Sequence, residues 1–452
     1  MSDALPRRDF LRTAAAGAAG LALSSMPGAA RAAPAASYSR ILGANSRVRI
    51  GVVGYSDRFR QALLPALQQS RAALDFEITA VSDIWSRRRD EGVAGVEQAT
   101  GQRPRAFRNN EEMYDARATD AVVISTADHQ HWYHGVEAMR ADQDAYIEKP
   151  LAHTMREARA IRDAVRERRK VVQIGTQRRS ARNYQLANEY IRSGAFGDIV
   201  MAEMTWNVNQ PGRWRRPALV AEIRERDTDW NRFLIDYPRE RWDPRKYVEY
   251  RLFWPYSSGI PDQWMCHQID TVHWFTDLPR PRSVVANGGV YLWKDGRQNW
   301  DTATIVFDYG PLADPTKGFQ VVYSARMTNS AGDVKELYYS NAGKLNLDTN
   351  EITPEGGLTA GSAAEMGMPA NLLAPRRLAD AARTETAANT GGDPVTTAHV
   401  RNWLECVVSR KTPNADIEAG YNHATALAMT VAAMRTGKRV GFDDVRQDVV
   451  VA

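Results

Sequence analysis

The regular alternation of short apolar runs with helical patterns constrains the fold of this chain more than any other feature. The runs are Val48–Val53, Phe76–Val81, Ala121–Ile124 and Val171–Ile174, and helical patterns separate them. Runs this short and this apolar are typical of strands that are buried on both faces, as in a parallel sheet. The alternation therefore predicts an α/β domain over residues 46–175, built on a doubly wound parallel sheet.

After Asn183 the pattern changes to longer strand candidates. Turns rich in Gly, Asn and Asp join them, which is typical of antiparallel strands. The candidates are Ile199–Val208, Ser283–Tyr291, Thr302–Tyr309, Gln320–Met327 and Lys335–Ser340. Helical patterns at residues 398–409 and 419–436 close the chain. We therefore expect residues 176–452 to form an α+β domain with a large, mostly antiparallel open sheet.

Residues 1–32 have the three parts of a secretory signal peptide. The arginine pair Arg7-Arg8 precedes an apolar stretch from Thr13 to Met26, and a small-residue segment ends at Ala32. The apolar stretch is shorter than the roughly 20 residues that a membrane-spanning helix needs. The adjacent arginines resemble the twin-arginine (Tat) motif, so we expect cleavage after Ala32, a linker over residues 33–45, and Tat export to the periplasm or beyond.

The charge balance gives no sign of an anionic polymer as partner. The formal net charge is +5, and the basic residues are mostly arginine, with runs that lie inside helical patterns. Residues 1–32 carry four Arg and two Asp, so the mature chain would keep a net charge of +3. We therefore expect neither nucleic acid nor membrane as a partner. The hydrophobic fraction of 43% and charged fraction of 25% are those of a globular protein.

The turn after the first strand candidate is a partial dinucleotide-binding fingerprint. The full pattern is G-x-G-x-x-G, which lets backbone amides approach a pyrophosphate, and here only Gly54 is present, with Ser56 and Phe59 at the other glycine positions. A tight turn that binds no ligand is the alternative. Asp83 ends the second strand, where a carboxylate accepts hydrogen bonds from the ribose and favours NAD. The nearby arginines 87–89 keep NADP open, and a helix N-cap is the structural alternative for Asp83.

Lys149 is the first candidate for the chemistry. It stands between Glu148 and Pro150, directly after a strand candidate, and so at the carboxyl edge of the predicted sheet. A lysine that is partly desolvated beside the cationic nicotinamide ring binds its proton less tightly, which suits a general base. An ordinary surface lysine is the alternative.

His267 and Asp270 are the second candidate pair. On a helix they are i,i+3 neighbours on one face, so the carboxylate is placed to orient the imidazole. A core histidine with satisfied hydrogen bonds is the alternative. The remaining His and Cys residues lack the spacing of a ligand set, and we predict no metal site.

The order of these motifs resembles that of the glucose–fructose oxidoreductase / inositol dehydrogenase / MocA (Gfo/Idh/MocA) family. The motifs are the turn at Gly54, a T-A-x-x-x-H loop from Thr126 to His131, E-K-P, and H-x-x-D at His267. The resemblance extends over the mature chain, and the segments 175–179 and 399–402 resemble a Tat-exported bacterial branch. The chain departs from the family pattern in its glycine turn. It also has Gln263 where family members often have an Asp four residues before the His, and Asp262 stands one place earlier.

The resemblance implies roles for individual residues. Lys149 would transfer the proton, His267 would be its partner at the reacting carbon, and Asp270 would complete the catalytic group. The residues implied in binding NAD or NADP are Gly54, Tyr55, Ser56, Arg58, Phe59, Asp83, Thr126, His131, Glu148, Lys149 and Gln177. The residues implied in binding substrate are Arg179, Asp262 and His267. Independently of the resemblance, Trp206 is a candidate to stack on a sugar face, with ordinary core packing as the alternative. The resemblance also implies a carbohydrate-like substrate and a homo-oligomer formed through the open face of the second sheet.

Three functions are consistent with these features. The first is an NAD(P)-dependent oxidoreductase acting on CH–OH groups, which moves a hydride between a sugar or cyclitol carbon and a tightly bound nicotinamide. The second is an NAD-dependent glycoside hydrolase that works by transient oxidation and elimination. The third is a non-catalytic saccharide-binding protein, which Ser56 and Phe59 favour and Lys149 and His267 oppose.

Overall fold

The computed structural model describes residues 47–71, 73–378 and 393–451. The expected signal peptide, residues 1–32, and the expected linker, residues 33–45, lie outside the described residues.

The first sheet has six strands, all parallel. Its order is β3-β2-β1-β4-β5-β6, which is the doubly wound order of dinucleotide-binding domains. The strands are β1 (Val48–Val53), β2 (Phe76–Ser82), β3 (Arg105–Phe107), β4 (Ala121–Ile124), β5 (Asp144–Ile147) and β6 (Val172–Ile174). β4 and β5 are buried along their whole length because helices cover both faces of the sheet. The predicted Rossmann-type sheet is confirmed.

The crossover helices lie between these strands. They are α1 (Leu64–Ser70), α2 (Ser86–Thr100), α3 (Asn110–Asp115), α4 (His131–Arg140), α5 (Met155–Arg168) and, after β6, α6 (Arg182–Arg192). A π-helical turn, Phe59–Leu63, precedes α1. At the start of α5 the Thr154 hydroxyl accepts from the Glu157 amide at 3.3 Å, and the Glu157 carboxylate accepts from the Thr154 amide at 3.2 Å. This capping box satisfies two amides that the helix itself leaves free.

The second sheet has ten strands in the order β14-β13-β12-β11-β7-β10-β9-β8-β15-β16. Only the β7–β10 pairing is parallel among the described residues, so the predicted mostly antiparallel sheet is confirmed. The strands are β7 (Ile199–Asn207), β8 (Ser283–Gly289), β9 (Thr302–Tyr309), β10 (Phe319–Arg326), β11 (Val334–Ser340), β12 (Gly343–Asn346), β13 (Glu351–Thr353), β14 (Arg376–Arg377), β15 (Val440–Asp443) and β16 (Asp448–Val451). Buried and part-exposed residues alternate along β9 and β10, because one face of the sheet packs on the core.

Between β7 and β8 lies an insert, residues 210–256, which forms short helices. The remaining helices are α7 (Pro217–Glu222), α8 (Trp230–Leu234), α9 (Pro244–Val248), α10 (Cys266–Thr276), α11 (Ala360–Glu365), α12 (Pro394–Ser409) and α13 (Ile417–Thr436). A π-helical turn, Pro261–Met265, runs directly into α10. None of the helices in the described part of the chain combines the length and the apolar character that a bilayer span requires.

The last two helices return to the first sheet. The Ile174 amide donates to the Ala415 carbonyl at 2.8 Å, and the Gln173 side chain donates to the His399 carbonyl at 2.6 Å. A Cβ on Gly420 of α13 would lie 2.8 Å from Ile174. Residues between β14 and β15 of the second sheet therefore complete the packing around β6, next to the predicted boundary at residue 175.

Candidate active site

Gly54 makes the turn between β1 and α1 possible. Its φ of +81° lies in the left-handed region, which residues other than glycine rarely adopt. A Cβ at this position would lie 2.7 Å from the Thr126 Cγ2 atom. The first glycine of the fingerprint is therefore required for two reasons. The backbone angle disfavours other residues, and the Thr126 side chain leaves no space for a Cβ atom.

The two departures from the glycine pattern have structural roles. The Ser56 hydroxyl accepts from the Phe59 amide at 3.2 Å and lies 3.2 Å from the Ser125 hydroxyl, so it caps the helical turn. Phe59 is fully buried and packs against the Tyr55 ring at 5.7 Å. The structure thus corrects the prediction that Phe59 contacts the cofactor, because the side chain points into the core. The Tyr55 ring packs against α2 at Gly95, and only its backbone is available to a ligand at the turn.

Asp83 connects this turn to the start of α2. One carboxylate oxygen accepts from the Tyr55 amide at 2.8 Å and the other accepts from the Trp85 amide at 2.9 Å. Burial raises the pKa of Asp83, and the two amides and Arg88 oppose that rise. Each oxygen keeps a second lone pair, so the carboxylate can still accept from a ribose hydroxyl.

A cleft of about 520 Å³ opens beside this turn. Its floor is the turn from Gly54 to Arg58 and the loop after β4, and Asp83 stands at one end. Residues of the insert, including Trp214, Tyr247 and Arg251, form the opposite wall. The insert therefore covers the side of the first sheet on which a dinucleotide lies in doubly wound folds.

A buried ion pair anchors the residue before Lys149. The Arg58 Nε atom lies 2.8 Å from the Glu148 carboxylate, and the Gln177 side-chain amide, oriented to satisfy its neighbours, accepts from Arg58 and donates to the Gly175 carbonyl at 2.8 Å. Burial raises the pKa of Glu148, but the charge and hydrogen bond of Arg58 bring it below its usual value. Glu148, Arg58 and Gln177 thus bind one another and support the edge of the sheet.

Lys149 reaches across to the segment that carries His267. Its ammonium group donates to the Asp262 carbonyl at 3.3 Å and to the Gln263 carbonyl at 3.0 Å. Both carbonyls belong to the π-helical turn before α10, and such turns are frequent at functional sites. On the other side, the His131 ring lies 2.7 Å from the Pro150 carbonyl and holds the loop. The structure places His131 behind Lys149, in the core, and not in contact with the cleft.

His267 is partly buried and stays neutral at neutral pH. Burial and the positive charges of Lys149 and Arg178 lower its pKa well below the usual value. Its ring stacks on Trp206, with centroids 6.3 Å apart and planes inclined by 25°. Its ring nitrogens make no hydrogen bond to any other described residue. Lys149 and His267, predicted from separate motifs, are therefore close enough in space to interact electrostatically.

The structure corrects the role of Asp270. Both of its oxygens bind Arg179, at 2.8 and 2.9 Å, and the carboxylate is fully buried. Asp270 therefore does not orient His267, although the two share a helix. Arg179, predicted to bind substrate, is committed to this ion pair, and its guanidinium lies over the Trp274 ring at 5.5 Å.

Trp206 is also placed differently from the prediction. It is buried and stacks on Trp264, with centroids 5.8 Å apart and planes only 3° from parallel. The same ring contacts His267. Trp206 thus positions the imidazole instead of offering a free face to a sugar.

Asp262 does not replace the family acid at position 263. Its carboxylate accepts from the Ser258 amide at 2.5 Å and lies 2.8 Å from the His153 Nε2 atom, and both side chains are 1% exposed. The negative charge of Asp262 overcomes the effect of burial and raises the pKa of His153 to about 9, and His153 lowers the pKa of Asp262. The Asp262 carboxylate is thus engaged within the protein, as one member of a buried ion pair.

Gln263 binds the carboxylate of another residue, Asp128. Its side chain donates to Asp128 and accepts from the Arg251 Nε atom at 2.9 Å. Asp128 also accepts from the Ser257 hydroxyl at 2.6 Å and is buried. We did not single out Asp128 from the sequence. Its signal is its position in the loop after β4, at the edge of the sheet where Lys149 also lies.

Asp128, His153 and Asp262 each place one candidate ligand atom within 4.8 Å of the others. The contacts of His153 account for this proximity. Its Nδ1 atom lies 3.0 Å from the Pro255 carbonyl and its Nε2 atom faces Asp262, so a doubly protonated imidazolium donates on both sides. A buried ion pair explains the cluster by itself.

Comparison with known proteins agrees with this geometry. Residues 48–176 match the model of an oxidoreductase family (GFO_IDH_MocA) with an NAD-binding Rossmann fold. An inositol 2-dehydrogenase of Cereibacter sphaeroides is 29% identical over 194 residues, which are 42% of this chain and 54% of the relative. A glycosyl hydrolase family 109 protein of Shewanella pealeana is 26% identical over 233 residues, which are 47% of this chain and 50% of the relative. The chain thus spans about half the length of these curated relatives.

The whole fold has solved counterparts. The WlbA dehydrogenase of Bordetella pertussis, solved with NADH and UDP-GlcNAcA, superposes with a TM-score of 0.61 at 16% identity, over 88% of this chain and 98% of that one. At this identity the likeness concerns the fold alone. Over residues 48–176 the chain is thus similar to the NAD-binding Rossmann domain of the Gfo/Idh/MocA oxidoreductase family.

Proposed function

We propose that this chain is an NAD-dependent oxidoreductase that moves a hydride between a hydroxyl-bearing carbon of a sugar or cyclitol and the nicotinamide. The observation that carries the proposal is that Lys149, at the carboxyl edge of the first sheet, binds the π-helical turn before α10 and lies close enough to His267 to lower its pKa. The relatives named inositol 2-dehydrogenase support a polyol or sugar substrate.

The cleft fits a dinucleotide. Gly54 leaves the space beside Thr126 that a Cβ would fill, so the backbone of the turn can approach a pyrophosphate. Asp83 stands where the adenosine ribose lies in this fold, which favours NAD. Arg88 also lines the cleft, and NADP is therefore the alternative cofactor.

The bound nicotinamide supplies the hydride acceptor and donor. Lys149 has three N–H donors, and two of them bind the carbonyls of the π-helical turn, so the third is directed elsewhere and can bind a substrate oxygen. Neutral His267 can accept a hydrogen bond from the same hydroxyl, because its nitrogens are not engaged by the protein. With its third position unprotonated, Lys149 takes up the hydroxyl proton as the carbon loses its hydride, and it returns the proton when the carbonyl is reduced. His267 keeps the oxygen oriented in both directions.

Net glycoside hydrolysis is the second candidate. It is favoured by the similarity to glycosyl hydrolase family 109 proteins. In that case the same proton transfer would serve a transient oxidation to the ketone. Elimination of the glycosidic substituent, addition of water to the resulting enone and return of the hydride would complete the net hydrolysis. The structure weakens the sequence argument for a non-catalytic binding protein. Ser56 and Phe59, on which that argument depended, have structural roles, and the nucleotide cleft is present beside them.

We also propose that the protein is exported folded by the Tat pathway and keeps its cofactor bound. Free dinucleotide is scarce outside the cytoplasm, so the cofactor would be restored in each cycle, either by a second substrate or within a redox-neutral cycle such as the glycoside hydrolysis. Cell fractionation of the full chain and of an Arg7→Lys/Arg8→Lys variant tests the export, and equal distribution of the two proteins would contradict it.

The function is tested on purified protein to which no nucleotide has been added. After denaturation the released dinucleotide is identified, and the native protein is then supplied with sugars, cyclitols and aryl glycosides. A substrate-dependent change in nicotinamide absorbance supports the oxidoreductase, whereas aglycone release without net reduction supports the hydrolase. Protein that neither contains nor binds a dinucleotide would refute both.

The role of Lys149 is tested by Lys149→Met, with Lys335→Met as the matched control. Lys335 is exposed on β11, far in the sequence from the site. We expect Lys149→Met to lower turnover by a factor of about 100 or more, as is typical when a general acid–base group is removed, while the bound dinucleotide is retained. Full turnover in Lys149→Met would show that the proton takes another route.

A further inference from the structure

Arg213 is a partly buried cation that no carboxylate of the described residues pairs with. It lies in the insert, and its Nε atom is buried and makes no hydrogen bond. Among the described residues its guanidinium forms no ion pair. Its neighbour Arg215, by contrast, binds Glu249 at 2.9 Å. Buried charges in proteins are ordinarily paired, so a guanidinium that is unpaired among residues 47–71, 73–378 and 393–451 is open to a counter-charge from a ligand.

Two tryptophans hold the guanidinium in place. The Arg213 Cζ atom lies 6.0 Å from the Trp214 ring and 5.9 Å from the Trp264 ring. The two rings are themselves in contact, with centroids 5.6 Å apart, and both are buried. Cations over indole faces are attracted by the ring quadrupole, and the position of the charge is therefore set before any ligand binds.

Further positive charges surround this position. Burial and the charges of Arg251 and Arg216 lower the pKa of Arg213 to about 10. Arg251 also binds the Gln263 side chain at 2.9 Å, and the carbonyl of the same Gln263 accepts from Lys149 at 3.0 Å. The arginine group is thus connected through one residue to the candidate catalytic lysine. The nearby carboxylate, Asp128, is occupied by Gln263 and Ser257.

We infer that Arg213, together with Arg251, binds an acidic group of the substrate, a carboxylate or a phosphate, and that the substrate is an acidic sugar. The planar guanidinium presents paired N–H donors that match either group, and an incoming anion would relieve the repulsion among the arginines. This inference rests on the proposed function and narrows its substrate class. The pyrophosphate of the dinucleotide is the other available anion, and the experiment separates the two.

The test uses the full chain loaded with NAD, and Arg213→Met is compared with Arg226→Met. Arg226 belongs to the same insert, and its side chain is 89% exposed. The probes are D-glucuronate and glucose 6-phosphate, with D-glucose as the neutral match. Binding is followed by tryptophan fluorescence, because Trp214 and Trp264 contact the guanidinium. Dinucleotide content and the melting temperature are measured for each protein.

We expect one acidic probe to bind about tenfold more tightly than glucose, and Arg213→Met to lose about that factor for the acid alone. Tighter binding of glucuronate assigns a carboxylate, and tighter binding of the phosphate ester assigns a phosphate. Arg213→Met should melt at the temperature of the wild type or above it, because it removes an unpaired charge. The Arg226→Met control should bind like the wild type.

Three results would overturn the inference. The first is that the acids and glucose bind equally tightly, or that neither binds. The second is loss of the dinucleotide in Arg213→Met, which would assign Arg213 to cofactor binding. The third is a lower melting temperature of Arg213→Met, which would assign Arg213 a structural role. Turnover of neutral sugars alone would support the proposed oxidoreductase function and contradict the acidic-sugar inference. Binding of an acid without any hydride transfer would support an anion site at Arg213 and contradict the oxidoreductase function.

Discussion

The buried pair of His153 and Asp262 leads to a prediction with a defined pH window. The two side chains are 2.8 Å apart and 1% exposed, and the backbone carbonyl of Asp262 is one of the two that hold Lys149. Asp262→Asn removes the negative charge and changes the side chain little in shape. We expect it to destabilise the protein near neutral pH and to lower turnover by loosening the π-helical turn.

The size of the effect follows from the pKa of His153. The folded pKa is about 9, and the value for an unfolded chain is about 6.5. A histidine with a raised pKa contributes stability that is fully present below about pH 6.5 and is lost as the pH rises through about 9. At pH 7 the shift corresponds to about 3 kcal/mol, and by pH 10 little of it is left. Asp262 has a lowered pKa, so its own contribution is present above about pH 4 and is lost in acid.

Chemical denaturation of the wild type and Asp262→Asn at pH 7 and pH 10 measures this difference. Asp163→Asn is the matched control, because its carboxylate is 62% exposed and is also paired with an arginine. The difference in the free energy of unfolding between the wild type and Asp262→Asn should decrease as the pH rises. The free energy of unfolding of Asp163→Asn should stay close to that of the wild type at both pH values. A gap that is equal at pH 7 and pH 10, or no larger than that of the control, would refute the buried ion pair.

Two further predictions concern the turn and the core. Gly54→Ala should destabilise the protein by about 1–3 kcal/mol and reduce dinucleotide retention, since it combines a positive φ with the Thr126 wall. Gly101→Ala, at φ +75° with open space around it, carries only the backbone strain, and an equal loss in both variants would contradict the role of the wall. Burial lowers the pKa values of His399 and His423 to about 4, so the stability they contribute is present above about pH 6.5 and falls between pH 6.5 and 4. The melting temperature should decrease over that range and decrease less in His399→Gln, whereas a flat profile would refute the prediction.

Much of the fold follows from local pattern. The short apolar runs predicted the parallel sheet, because strands covered on both faces need apolar residues throughout. The start of α5 is also encoded locally, since Thr154 and Glu157, the two members of its capping box, lie within one helical turn. Lys149 was located at the edge of the sheet from its place after a strand. The domain boundaries at residues 45 and 175, the export signal and the oligomeric state stay predictions.

The partners of individual side chains did not follow from local pattern. The i,i+3 spacing of His267 and Asp270 was correct, but Arg179, 91 positions away from Asp270, takes the carboxylate. Asp128 and Gln263, 135 positions apart, meet only in the folded chain. A helical period fixes the face on which a side chain lies, and the neighbouring elements decide what it contacts there.

The sequence by itself determined the two sheets, the glycine-dependent turn at Gly54 and the placement of Lys149, because each depends on residues that are close along the chain. Only the tertiary structure decided that Asp262 pairs with His153, that Trp206 supports His267, and that Arg213 finds no counter-charge in the described part of the chain. Those outcomes depend on which side chains burial brings together. The desolvation of a charge, and with it its need for a partner, is a property of the packed protein and not of the local sequence.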